Sequence, residues 1–102
     1  MPRPCCLRHI GFKPGAGFFR PVGIPACTLE LVTLTLDEVE ALRLADLKGL
    51  YQEEAAKEMG ISRPTFSRII EGARRKVADA LINSKALRLE GGAVKMKGEP
   101  QS

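Results

Sequence analysis

From Ser62 to Arg88 the basic side chains Arg63, Arg68, Arg74, Arg75, Lys76, Lys85 and Arg88 face only Glu71 and Asp79. From Leu36 to Gly60 the balance reverses: Asp37, Glu38, Glu40, Asp46, Glu53, Glu54 and Glu58 stand against Arg43, Lys48 and Lys57. Cationic side chains gathered on one stretch bind phosphate oxygens, and a guanidinium can also take the O6 and N7 of guanine together. A helical hairpin selected only to pack has no need to divide charge between its halves. The division therefore points to a polyanion, duplex DNA, met by the second half.

The elements that would present these groups lie between Gln52 and Glu71, QEEAAKEMGISRPTFSRIIE. Ala55, Ala56, Met59 and Ile61 follow one helical phase, and Phe66, Ile69 and Ile70 resume in another. Gly60 stands at the break, where a residue without Cβ takes the left-handed conformation that ends a helix. Ser62 is placed to cap the next helix, and Pro64 sits in its first turn, where a missing N–H is tolerated. Ala56 falls where the two helices would cross. This is the pattern of a helix-turn-helix, whose second helix enters the major groove. A plain helical hairpin with a glycine turn is the alternative, and the charge division argues against it.

On that second helix Phe66, Ile69, Ile70, Ala73 and Val77 take the core side. Arg63, Pro64, Ser67, Arg68 and Glu71 then point outward, with Thr65 at the margin. Recognition helices present their N-terminal residues to base edges, which assigns that contact to Arg63 and Arg68. Ser67 and Thr65 can hydrogen-bond a base or phosphate. Arg74, Arg75 and Lys76 lie further along and suit phosphates, which position without specifying. For each of these cations the plain alternative is a solvated surface charge.

Thr35-Leu36-Asp37-Glu38 fits a capping box opening an earlier helix, with Val39, Leu42, Leu44, Ala45 and Leu47 as its apolar face and Gly49 as its end. The next helix begins at Tyr51 or Gln52. Tyr51 is a poor cap, so Glu53 and Glu54 would compensate through the helix dipole. The third helix extends from Arg63 to about Ile82, with Gly72 as the place for a bend. Leu29 to Leu34 and Ala86 to Glu90 read as short strands that could pair with each other or across a dimer.

The expected fold is mainly α: a three-helix domain over 29–92 with two short flanking strands. An irregular strap, 1–28, precedes it, and a disordered tail, 93–102, follows. The strap holds five of the chain's seven prolines and no acidic residue. Its Phe12, Phe18, Phe19, Val22 and Ile24 suggest a cover over the core, the alternative being a basic arm along DNA.

Cys5, Cys6, His9 and Cys27 form a thiolate and imidazole set that could hold zinc. There is no Cys-x-x-Cys knuckle, Cys27 is distant, and adjacent cysteines rarely share a metal, so small buried residues with a surface histidine are the preferred reading. No metal or other cofactor is expected. One histidine, no Gly-x-Ser-x-Gly and no phosphate-cradling loop leave no parts for an enzyme. The GFKPGAG run at 11–17 lacks the ending of a Walker motif.

At 102 residues with a net charge of +4, the chain is one small, moderately basic domain. No stretch suits a membrane span, and the N-terminus lacks the apolar run of a signal peptide. Three cysteines are no disulfide framework. A cytoplasmic protein is expected.

The stretch LTLDEVEALRLADLKGLYQEEAAKEMGISRPTFSRIIEGARRKVADAL resembles region 4 of sigma-70-type factors, with GIS-x-x-T and ARRK its most specific fragments. More widely, MPRP, FFRPVGIP at 18–25, EALRLADLKGLYQEEAAKEMGISRPTF and ARRKVADALINSKALRLEGG resemble an uncharacterised prokaryotic family of small predicted DNA-binding proteins. Most of 18–92 is covered. The resemblance implies a helix-turn-helix role in bacterial or archaeal transcription and supplies no target. GFKPGAG and Tyr51 depart from the pattern, away from the proposed DNA face. A complete sigma factor is excluded, since no promoter-melting region is present.

Two functions follow as expectations. One is a transcriptional regulator, a homodimer, because a single small module binds DNA weakly. A metal-responsive form would use the cysteines. The other is an interaction module docking on RNA polymerase or another protein through the acidic helices, with Glu40, Glu54 or Glu58 at the contact.

Overall fold

The structure, a computed structural model, describes residues 8–11, 15, 17–92 and 94–96. Along the chain run β1 (Arg8–Ile10), β2 (Phe18–Phe19), a 3-10 turn (Ala26–Thr28) and β3 (Leu31–Leu34). Then come α1 (Leu36–Leu42), α2 (Gln52–Met59), α3 (Arg63–Asn83), β4 (Ala86–Leu89) and β5 (Val94–Met96). The fold is small and mainly helical, with two short sheets.

At the start of α1 the Glu38 carboxylate accepts the Thr35 N–H at 2.9 Å, as the capping box requires. The helix does not continue as α to Gly49. From Arg43 to Leu47 it widens into a π-helical stretch, where the Lys48 N–H reaches back to the Arg43 carbonyl at 2.8 Å. At Tyr51 the compensation is a direct bond: Glu54 Oε1 accepts the Tyr51 N–H at 3.3 Å. Helix α3 runs unbroken through Gly72. The missing Cβ there leaves room for Glu38, whose Oε2 would lie 3.3 Å from a Cβ.

Ala41, Leu44, Ala55, Ala56, Met59, Phe66 and Ile70 form the buried core between the helices. Alanines at 55 and 56 keep α2 close to α3, so the Phe66 ring fills the centre with no exposed surface. The predicted strands pair with each other. β3 and β4 are parallel, with Leu31 opposite Ala86 and Leu34 opposite Leu89, and the three helices form the crossover between them.

The strap covers the core in part, and not through Phe18 and Phe19. β2 pairs antiparallel with β4, Phe18 opposite Arg88 and Phe19 opposite Leu87, and both phenyl rings remain about half exposed. Ile10 of β1 is nonetheless buried, and β1 packs against α1 and α2, whereas the Phe18–Phe19 segment is held by backbone pairing with β4. Phe12 lies outside the described residues. Nor is the stretch after Gly92 without structure, because β5 pairs in parallel with β1, Arg8 opposite Val94. Residues 97–102 lie outside the described residues.

Below β1, the Gly11 N–H donates to Glu40 Oε2 at 2.9 Å. Glu40 is buried and also takes the Arg43 fork at 2.7 and 2.9 Å, so its oxygens are hydrogen-bonded where water does not reach them. The expectation that Glu40 lies on an outer docking face is thereby overturned.

Two substitutions should separate packing from turn geometry in urea denaturation. Phe66→Ala is expected to lower stability by about 3–5 kcal/mol. Gly60→Ala is expected to lower it by about 1 kcal/mol through its left-handed backbone, since the added methyl meets only ordinary contacts.

Candidate nucleic-acid interface

The junction of α2 and α3 is built from local rules. Gly60 adopts φ 69° and ψ 34°. Its N–H bonds the Lys57 carbonyl at 3.1 Å, and the Ile61 N–H bonds that of Ala56 at 3.0 Å, the paired closure of a Schellman end. Ser62 Oγ then accepts the Thr65 N–H at 3.3 Å and donates its own proton to Thr65 Oγ1 at 2.9 Å. Pro64 sits in the first turn of α3. With Phe66, Ile70 and Ala73 buried, the exposed side of α3 is determined: Arg63, Pro64, Arg68, Glu71 and Arg75 face water. Thr65 and Ser67 are half-buried at its border.

The seven cations between Arg63 and Arg88 fall into two groups. Arg74 clamps Asp46 with two hydrogen bonds, at 3.1 and 2.7 Å, and so ties α3 to the π-helical stretch. Lys76 Nζ donates to Glu38 Oε1 at 2.8 Å and to the Thr33 carbonyl at 2.9 Å, joining α3 to α1 and β3. Lys85 pairs with Asp79 at 3.1 Å, and Arg88 with Glu90 at 3.2 Å. Arg63, Arg68 and Arg75 have no hydrogen bond or ion pair among the described residues. At 1.5 Å per residue they occupy about 18 Å of one helix.

Of the predicted site residues, the start of α3 thus holds Arg63, Pro64, Thr65, Ser67 and Arg68 together, and Arg75 lies two turns beyond Arg68 on the same side. Arg74 and Lys76, expected to hold phosphates, have their charged ends on carboxylates of other elements. Thr65 has part of its hydrogen-bonding capacity committed to the Ser62 cap. These tethers were not read from the sequence. Arg74 and Asp46, like Lys76 and Glu38, are far apart in the chain, and no local spacing signals them.

Among the described residues no group of three or more His, Cys, Asp or Glu side chains could hold a metal ion. Cys5 and Cys6 lie outside the described residues, and Cys27 is exposed and unbridged. The His9 ring packs at the α2–α3 turn, 3.6 Å from where a Cβ on Gly60 would stand. No helix among the described residues is long and apolar enough to cross a membrane.

The chain is therefore a small mainly helical domain with three solvent-facing arginines, Arg63, Arg68 and Arg75, on its longest helix. It belongs to the family described as "Protein of unknown function DUF134", whose profile matches residues 1–97. It is 57% identical over 99 residues to a UPF0251 protein of Caldanaerobacter subterraneus subsp. tengcongensis, covering 97% of this chain and 84% of that one. A UPF0251 protein of Thermoanaerobacter pseudethanolicus is 54% identical over 101 residues, covering 99% and 86% of the two chains. One of Prosthecochloris aestuarii is 54% identical over 99 residues, 97% of this chain and 63% of the relative. No solved structure matches.

The Arg74 clamp has a pH signature. Hydrogen bonding from Arg74 holds the Asp46 carboxyl below its ordinary value of 3.8. A carboxylate depressed in the folded state stabilises it above the unfolded value and loses that contribution as pH falls through the folded one. Both partners are about half exposed, so the advantage of the native chain over Asp46→Asn should be under about 1 kcal/mol. Urea midpoints should show it at neutral pH and show it vanishing below pH 3.8.

Proposed function

We propose that this protein reads duplex DNA as a helix-turn-helix similar to region 4 of sigma-70-type factors, and acts as a small transcriptional regulator. Helix α2 braces the turn, and the first turns of α3 enter the major groove. One observation carries the reading: Arg63 and Arg68 stand exposed and unpaired, among the described residues, at the capped start of α3, while neighbouring cations are bound internally.

In this reading Arg63 and Arg68 take base edges, with guanine the natural acceptor of a guanidinium fork. Arg75, two helical turns beyond Arg68, meets the phosphate backbone. Glu71 lies between them and would repel phosphate. It suits the groove floor, where a carboxylate accepts from the cytosine amino group. Ser67 lies at the edge of the same surface and offers a hydroxyl to a base or phosphate. The tethers of Arg74 and Lys76 serve binding indirectly, by holding α3 rigid against α1 and β3 so that the arginine row meets DNA already ordered.

The test is fluorescence anisotropy of the full chain against a pool of random duplex DNA across a salt series. Binding should weaken steeply as salt rises, and Arg63→Ala and Arg68→Ala should each cost about 1–3 kcal/mol on a selected site. Lys76→Ala should lower thermal stability and leave the salt slope nearly unchanged. A folded chain that binds no duplex at low salt would sink the proposal, as would binding indifferent to the Arg63 and Arg68 substitutions.

A further inference from the structure

Glu71 stands in the middle of the surface that α3 turns to water. At about 100° per residue it lies about 20° around the helix from Pro64 and about 40° from Arg75. Phe66 and Ala73, which have no exposed surface, lie about 140° and 160° away on the core side. Arg68 precedes Glu71 by three residues, and Arg74 and Arg75 follow it by three and four. At these spacings a carboxylate and a guanidinium pair along a helix. No such pair forms. Arg74 takes Asp46 instead, at 2.7 Å, and Glu71 has no hydrogen bond or ion pair among the described residues.

An acid at that place lowers affinity for every duplex, because phosphate neutralisation supplies the binding that ignores sequence. The loss is offset only where a base edge donates to the carboxylate. In the major groove cytosine offers an amino donor, and guanine and thymine offer acceptors that repel it. Adenine has an amino group too, but beside the N7 acceptor. We infer that Glu71 is the specificity-determining residue of this surface. It weakens binding to duplex of arbitrary sequence and spares sites that set a cytosine against it. This role deepens the DNA-reading proposed for α3 and rests on it.

A carboxylate that is no more than a solvated surface charge acts on all duplexes alike. The two roles therefore differ in the ratio of affinities for a preferred site and for random duplex, and not in either affinity by itself. The fold is not at stake in the comparison, because Glu71 holds no other group and alanine and glutamine both suit an exposed helix position.

The experiment selects preferred sites from a pool of random duplex DNA with the native chain, and repeats the selection with Glu71→Gln. Native protein is expected to enrich cytosine at one position, and Glu71→Gln to lose that enrichment in favour of adenine, whose N6 and N7 suit a side-chain amide. Anisotropy then compares the native-selected site with the pool. Glu71→Ala is expected to bind the pool several-fold more tightly and the site no better, so that the ratio falls on the order of ten-fold. Changing the enriched C·G pair to T·A should weaken native binding and leave Glu71→Ala nearly unaffected. Equal tightening on pool and site overturns the inference, as does cytosine enrichment that survives in Glu71→Gln. Native protein that binds no duplex, or binds it as well after Arg63→Ala/Arg68→Ala, sinks the DNA-reading and this role together. Binding that needs both arginines, with a ratio that Glu71→Ala does not move, sinks this role alone.

Discussion

The left-handed backbone at Gly60 sets the direction in which α3 leaves α2, and so decides which side chains of α3 face water. The turn closes with its hydrogen bonds satisfied: Ala56 and Lys57 carbonyls are taken from one side, and Ser62 takes an amide of α3 from the other. Phe66 and Ile70 then have one way into the core. A one-residue slip would rotate α3 by about 100° and bring polar positions such as Ser67 toward the site of the Phe66 ring. Burial of that ring and exposure of Arg63 and Arg68 are therefore two results of the same constraint.

Charge division along the chain has an intramolecular use as well as an outward one. Acids of the α1 region bind Gly11, Arg43, Arg74 and Lys76, and these contacts join the strap, β3 and α3 to α1. Exposed pairs of this kind stabilise a fold by at most about 1 kcal/mol each, so their main effect is to orient. Glu40 differs. Because it is buried, its three hydrogen bonds satisfy oxygens that water does not reach, and removing a donor would cost more than a surface pair contributes. On α3, Arg63, Arg68 and Arg75 have no such tether among the described residues.

The α2–turn–α3 unit was legible because its instructions are local: glycine, serine and proline at fixed offsets, and an apolar stripe that changes phase at the break. The two longer strands were legible as β-formers, but their parallel pairing was not, since it depends on how the intervening helices fold back. The π-helical stretch leaves no periodic trace in RLADL, which reads as ordinary helix. Strands β1 and β5 are too short to announce themselves and exist through each other. Glu40 reads as a surface charge until Gly11, distant in sequence, donates to it. Of the site residues, the start of α3 could be read from position on a helix, whereas the binding of Arg74 and Lys76 by distant carboxylates could not.

The same tethers bear on how copies of this chain could meet. Along β3 the carbonyls of Glu30 and Leu34 accept from β4, so strand alternation turns the Thr33 carbonyl toward the open edge. Lys76 occupies that carbonyl from α3, placing an ammonium on the edge where another strand would have to dock. The opposite edge, β2, is two residues long and offers too little ladder for stable pairing. Sheet extension is thus discouraged at both edges of this sheet, while Leu81 and Ile82 remain uncovered at the end of α3. Ile82 lines a groove with Arg75 and Lys76, so the apolar end of α3 adjoins the last of its exposed arginines.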